Sequence, residues 1–399
     1  MTRLANQPWL LAARKVIDAL ETVRPGCARF VGGCVRNALL GQPVADVDIA
    51  TQLTPDLVEK ACRNAGMSVH PTGIEHGTLT VVCDGVPYEI TTLRRDVETD
   101  GRRATVSFTH DWAEDAERRD FRMNALYADN AGEVFDPTGG GLDDIAARRI
   151  VFVGDAETRI REDYLRILRF FRFQAWYGNA APDQAGLAAC GKLRAGLAGI
   201  SVERIWMETK KLLAAPQPLS ALEAMERVGV LDQLFVDAKG LGLLGKLVGL
   251  EREQGWTPDP MLRFLALFWK DAAIVRDVTN RLKMSNEERN RLNWPTQDET
   301  PLWGAVTDAE VRAAVYRVGA QTVIDRATIE WASTGVPDWA GVIAVARSWA
   351  RPTLPVDGED MLARGIAEGP SIGAAIRKLE TAWIESDFAL SKDELLVLL

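Results

Sequence analysis

Two aspartates one residue apart, Asp46 and Asp48, follow a glycine pair, Gly32-Gly33, in the stretch that runs from Phe30 to Thr51. Alternate side chains of a strand share a face, so both carboxylates would project one way while Val47 and Ile49 project the other. Paired oxygen ligands suit Mg2+, which keeps several waters and takes its remaining ligands from substrate phosphates. The glycines let backbone approach a phosphate with no Cβ in the way. Cys34 to Leu40 has helical character, which would aim free N–H groups at the same phosphate. Arg36, in the first turn of that helix, could reach it with a planar fork of donors. The chemistry open to this set is metal-dependent nucleotidyl transfer.

A second constellation lies further on, in Arg161-Glu162-Asp163-Tyr164-Leu165-Arg166-Ile167-Leu168-Arg169-Phe170-Phe171-Arg172. Asp163, Arg166, Arg169 and Arg172 recur at every third residue, so on one helix neighbouring members fall within reach along a slowly winding stripe. Leu165, Ile167, Leu168, Phe170 and Phe171 would bury the remaining faces and leave the stripe to meet a ligand. The competing reading is a surface helix laced with pairs such as Glu162 to Arg166, each worth roughly 0.3–0.5 kcal/mol.

The elements that must hold these groups divide the chain into three segments and give an α+β fold. Residues 8–24 read as an amphipathic helix, and residues 28–136 mix short β-rich runs such as Thr78-Leu79-Thr80-Val81-Val82-Cys83 with helices. This head, with a small mixed sheet, is assigned residues 1–150. The glycine-rich run Asp136-Pro137-Thr138-Gly139-Gly140-Gly141 punctuates its end. A helical neck follows over 151–215, then a helical body and tail over 216–399, divided by Pro216, Pro218, Pro258, Pro260, Pro295, Pro301, Pro337 and Pro352. Asp100-Gly101-Arg102-Arg103 reads as part of a polar loop, too long and too charged for a tight hairpin.

The order Gly-Gly-x-x-Arg-Asn-x-Leu-Leu-Gly, then Asp-x-Asp-Ile-Ala-Thr, resembles the class II tRNA nucleotidyltransferase and bacterial poly(A) polymerase family of the DNA polymerase beta superfamily. Three later blocks are similar to that family in the same order. Tyr88-Glu89-Ile90-Thr91-Thr92-Leu93-Arg94 resembles the strand that brings a third carboxylate, Glu89, beside the metal pair. Arg118-Arg119-Asp120-Phe121 through Asn124-Ala125 resembles Arg-Arg-Asp-Phe-Thr-x-Asn-Ala, with Arg122 at the usual Thr. The resemblance implies that Arg119 touches the incoming nucleotide while Asp120 and Asn124 order the fold around it. The block around Asp163 resembles the Glu-Asp-x-x-Arg motif that chooses the base.

A carboxylate accepts from the exocyclic amine of cytosine or adenine and repels the carbonyl that uracil and guanine show there. By the motif, Asp163 would admit C and A. Arg166 would supply the complementary donors, with Arg169 and Arg172 nearer the sugar and phosphates. The resemblance implies Mg2+-dependent, template-independent addition of C, C and A to the 3′ end of tRNA from CTP and ATP. Its polar loop is similar to a mobile loop of the family. The segment His70-Pro71-Thr72-Gly73-Ile74-Glu75-His76-Gly77-Thr78 stands where poly(A) polymerases of the family carry a basic Gly-Arg-Arg-Phe, which favours the tRNA reading. A poly(A) polymerase, an A-adding tRNA nucleotidyltransferase and a catalytically inactive RNA-binding protein are the alternatives.

Composition fits an intracellular enzyme of more than one domain: 399 residues, 47% hydrophobic and 26% charged. The net charge of −9 argues against indiscriminate RNA binding and favours a partner gripped at a limited number of phosphates. Five cysteines without Cys-x-x-Cys spacing indicate neither zinc nor a disulfide framework, and three histidines are too few for a phosphohydrolase domain. The tryptophans of the helical half read mainly as core. No stretch has signal-peptide or membrane-spanning character, so a cytoplasmic protein is expected. Oligomeric state has no handle in the sequence.

Overall fold

The computed structural model describes every residue except 1, 5, 6, 101, 102, 180, 270 and 298–306, with backbone alone over 96–100 and 103–106. The chain separates into two compact units, Met1–Val236 and Asp237–Leu399. The head, the neck and the first helices of the sequence-assigned body thus share the first unit.

Helix α1 (Pro8–Glu21) opens that unit and buries Leu10, Ala13, Val16, Ile17 and Leu20, the one-sided spacing expected of an amphipathic helix. Strand β1 (Ala28–Val31) leads through Gly32 into α2 (Gly33–Leu39), and β2 (Asp48–Thr51) returns antiparallel beside β1. After α3 (Pro55–Asn64) come β3 (Ser68–Gly73), β4 (Thr78–Cys83) and β5 (Val86–Thr92). Strand β4 buries Leu79, Val81 and Cys83 and β5 buries Tyr88, Ile90 and Thr92, so alternation alone turns Glu89 to the open face.

Strands β6 (Arg94–Asp100) and β7 (Arg103–Phe108) form a separate ribbon, and short β8 (Tyr127–Ala128) and β9 (Val134–Phe135) finish the main sheet. Its order is β3-β4-β5-β2-β1-β8-β9, with β2 and β5 parallel and the other pairs antiparallel. The ribbon corrects the expected loop: β6 and β7 pair from Arg94↔Phe108 to Asp100↔Arg103. Val97, Thr99, Thr105 and Val106 supply β-branched residues on both arms, and Asp-Gly is a favoured hairpin dipeptide. Residues 101 and 102 themselves lie outside the described residues.

Helices α4 (Trp112–Glu117), α5 (Gly141–Ala147), α6 (Ala156–Glu162), α7 (Leu165–Tyr177), α8 (Gln184–Leu193) and α9 (Val202–Leu213) complete what the site needs. An aromatic cluster joins neck to head. Phe152 stacks on Phe170 with centroids 5.5 Å apart and planes 9° apart, while Phe121 packs on Phe173 at 4.9 Å. Burying such rings removes large apolar areas from water and fixes α7 against the Arg118–Asn124 block.

The second unit is helical. Arg263 and Glu251, 2% and 4% exposed, form a buried ion pair, and Arg291 bridges Asp259 and Asp325. Leu379, Trp383 and Leu395 centre a further cluster near its end. Trp331, Trp339 and Trp383 are buried, as expected of core tryptophans, whereas Trp294 is 53% exposed and Trp303 lies outside the described residues.

Candidate nucleotide site

Gly32 caps α2 with φ +73°, a left-handed conformation that glycine adopts without steric cost. A side chain there would also point toward Arg119, whose Nη1 stands 3.6 Å from the position of a Cβ. Across the strands, Asp48 and Glu89 are partners in parallel register. Asp48 is half-buried, while Asp46 and Glu89 are exposed. Strand β2 begins at Asp48, so Asp46 sits just ahead of it and not within it. Burial, then the Glu89 carboxylate, push the Asp48 carboxyl above the usual carboxylate range; Asp46 adds to the push, and Arg119 and Arg36 oppose it. Asp48 and Glu89 therefore stand together at one end of the β2–β5 pair, with Asp46 near enough to act on Asp48 and Arg119 as a counter-charge. Among the described residues no three His, Cys, Asp or Glu side chains are grouped closely enough to hold an ion by themselves.

Arg119 is anchored by a residue the sequence reading passed over. Its Nη2 donates to Asp115 Oδ2 at 3.0 Å, and Tyr127 Oη donates to the same oxygen at 2.7 Å. Arg118 Nε holds the other oxygen at 2.8 Å. Burial alone would raise the Asp115 carboxyl, but Arg119 and Arg118 outweigh it and bring it down to about 2. The available signal was spacing: Asp115 precedes Arg118 and Arg119 by three and four residues, the helical reach for ion pairs.

Arg36 departs from its expected role. Its side chain is 7% exposed, with Nη1 donating to Asn124 Oδ1 at 2.6 Å and Nη2 to Asn37 Oδ1 at 2.8 Å and Tyr177 Oη at 2.9 Å. The guanidinium also lies 4.2 Å over the Tyr177 ring. These partners occupy the fork that was assigned to phosphate, so Arg36 braces α2 against α7. Asp120 and Asn124 do order the surroundings. Asp120 accepts from Asn124 Nδ2 at 3.0 Å, from the Phe121 N–H at 2.8 Å and from Arg169 Nε at 2.8 Å. Burial raises its carboxyl, and Arg169 with Asn124 overrides that to about 2. Arg122 forms a two-pronged pair with fully buried Asp144, Nε to Oδ2 at 2.6 Å and Nη2 to Oδ1 at 2.9 Å.

The neck stripe is split. Helix α6 ends at Glu162 and α7 starts at Leu165, so Asp163 lies in an extended link (φ −155°, ψ 105°) and not on the helix of the three arginines. Its Oδ1 accepts the Leu165 N–H at 3.1 Å and its Oδ2 accepts Arg204 Nη2 at 2.7 Å. The cause is local: a carboxylate at a helix start competes for the unpaired N–H groups there. Arg166 pairs with Glu162, the contact the competing reading named, and also donates to the carbonyl oxygens of Arg159 at 2.9 Å and Arg118 at 3.2 Å. Arg169 is bound to Asp120, and Arg172 Nε donates to Glu208 Oε2 at 2.6 Å. The structure thus gathers Gly32, Asp46, Asp48, Glu89 and Arg119 at the sheet. It sets Asp163 and Arg166 at the α6–α7 junction, and commits Arg36, Arg169 and Arg172 to protein partners.

Comparison with known proteins points the same way. Residues 28–151 match the poly A polymerase head domain family, and residues 182–240 match the probable RNA and SrmB-binding site of polymerase A. The chain is 36% identical over 384 residues to the mitochondrial CCA tRNA nucleotidyltransferase 1 of Mus musculus, covering 92% of this chain and 85% of that protein. It is 42% identical over 211 residues to a CCA-adding enzyme of Geobacillus thermodenitrificans, 51% of this chain and 49% of that one. The crystal structure of the Bacillus stearothermophilus CCA-adding enzyme in complex with CTP matches with a TM-score of 0.81 at 30% identity, covering 98% of this chain and 97% of that one.

Proposed function

Because the chain belongs to the class II CCA-adding tRNA nucleotidyltransferase family, we propose that it adds C, C and A to the 3′ end of tRNA from CTP and ATP. The reaction is a direct in-line transfer: the RNA 3′-hydroxyl attacks the α-phosphate, its oxygen bonds to phosphorus as the bond to the leaving oxygen breaks, and pyrophosphate departs. No covalent enzyme intermediate is required. The observation that carries this reading is the meeting of Arg119 Nη1 with the Gly32 turn beside the Asp48–Glu89 pair.

Asp46 and Asp48 are the residues that would hold Mg2+, with Glu89 beside them. The donor set fits, since crowded carboxylate oxygens at the end of a strand favour a hard cation. When bound, the ion supplies charge neutralisation at the attacking and leaving oxygens. Arg119 is assigned to the triphosphate along the Gly32-Gly33 turn, oriented by Asp115 and Tyr127. Asp163 and Arg166 are assigned to the base, while Arg169 and Arg172 shape the wall behind them.

Among the described residues no helix is long and apolar enough to cross a membrane. The proposed location is the cytoplasm, and five buried, unpaired thiols support a reducing compartment. The reaction class is tested by pyrophosphate release from CTP or ATP. Release that needs both divalent ion and a tRNA lacking its terminal CCA supports the reading; release without RNA counts against it.

A further inference from the structure

We propose that Arg204 is a positioning residue that sets base selectivity through Asp163, an inference that rests on the assignment of Asp163 to the base. Helix α9 runs beside the stripe and supplies a partner at each end of it. Arg204 Nη2 donates to Asp163 Oδ2 at 2.7 Å, and Glu208, one turn further along α9, receives Arg172 Nε at 2.6 Å. Spacing of four residues places Arg204 and Glu208 on the same face of α9. The rest of that helix is seated by buried Ile205, Trp206, Thr209, Leu212 and Leu213, so the partner is presented from a fixed element.

The consequence lies in the geometry of the carboxylate. An ionised Asp offers about four acceptor directions over its two oxygens. In this structure the Leu165 N–H takes one on Oδ1 and Arg204 takes one on Oδ2, which fixes the plane of the group and leaves one direction on each oxygen. A carboxylate held at both oxygens meets an exocyclic amine with set direction; one held at a single oxygen can turn away from a carbonyl that it should repel. Asp163 is 25% exposed, so water stands ready to replace a lost partner. Arg204 itself is 29% exposed. Arg204 is needed for direction of the acceptor, not for affinity toward the triphosphate, which other residues hold.

The test is kcat/KM for CTP, ATP, UTP and GTP on tRNA transcripts lacking CCA, with wild-type protein, Arg204→Gln, Arg204→Lys and Asp163→Asn, and thermal unfolding of each. The expected result is that Arg204→Gln loses about tenfold in CTP-over-UTP selectivity with an unchanged unfolding temperature, the scale of one lost orienting contact to a charged group. Arg204→Lys, which keeps the charge with a different reach, recovers part of that loss. An equal fall for all four nucleotides with selectivity retained, in whichever variant folds, would overturn the proposal. Wild-type selectivity in Asp163→Asn would overturn the base assignment beneath it, which separates that failure from failure of Arg204 alone.

Discussion

Asp48 on β2 and Glu89 on β5 stand side by side in parallel register, and the burial of Ile49, Tyr88 and Ile90 keeps both carboxylates on the same open face. Neighbouring strands lie about 4.8 Å apart, so the two acids are close enough to share one cation or to repel each other without it. Because Glu89 is exposed and Asp48 is half-buried, they carry unequal weight. Asp48→Ala is expected to lower turnover by about 10²–10³-fold, the scale of losing a group that sets transition-state charge. Glu89→Gln should cost about 10-fold and raise the Mg2+ concentration needed for half-maximal rate, as outlying ligand partners do. Turnover across a Mg2+ titration checks both; equal losses would place Glu89 on a par with Asp48.

Arg36→Lys separates bracing from phosphate binding. An ammonium cannot reproduce the fork that joins Asn37, Asn124 and Tyr177. The expected outcome is a loss of about 1–3 kcal/mol in stability, from acceptors left unpaired in a buried setting, with KM for CTP changed less than threefold. Unfolding curves set beside steady-state kinetics decide it. An intact fold with a tenfold higher KM would restore the phosphate role.

Arg122 replaces the Thr usual in its motif, and its partner Asp144 is fully buried. Removing one member of such a pair typically costs about 3–5 kcal/mol, and Arg149, 3.0 Å from the same carboxylate, should hold the loss near the lower figure. Arg122→Ala is therefore expected to unfold at lower temperature while its folded fraction keeps wild-type nucleotide selectivity. A selectivity change would show that the position does more than support.

Asp115 and Asp120 give a pH signature. Each has a folded value of about 2 against an ordinary 3.8, so the unfolded chain binds more protons in that interval. Their stabilisation is complete above the unfolded value and is lost as pH falls from about 4 toward 2, amounting to about 2 kcal/mol for each group. Thermal unfolding measured from pH 6 to pH 3 should fall less steeply for Asp120→Asn than for wild type. Parallel curves would remove Asp120 from the acid-sensitive set.

Much of this was legible in the sequence because it depends on short-range rules. The apolar, β-branched run over residues 78–83 marked β4, alternation turned Asp48 away from buried Ile49 although β2 begins only at Asp48, and the glycine pair marked the turn at Gly32. What escaped depends on distant partners. Arg36 looks the same in sequence whether its fork meets a phosphate or Asn124 and Tyr177, far along the chain. Asp163 shares the three-residue spacing of the arginines, yet it leaves the helix because its carboxylate takes the Leu165 N–H. Arg204 and Glu208 carry no local sign that α9 packs beside α7. The β6–β7 ribbon was misjudged on charge, although Asp100-Gly101 between β-branched runs was a hairpin signal.

The most direct test of the central claim is stepwise extension of three tRNA transcripts, ending before CCA, after C and after CC, with CTP, ATP or both, beside an Asp46→Ala/Asp48→Ala protein. The account predicts addition of C, then C, then A, stopping there, and no product from the double variant. Runs of A on any RNA, A added only to the CC-ended transcript, or product from the double variant would contradict it.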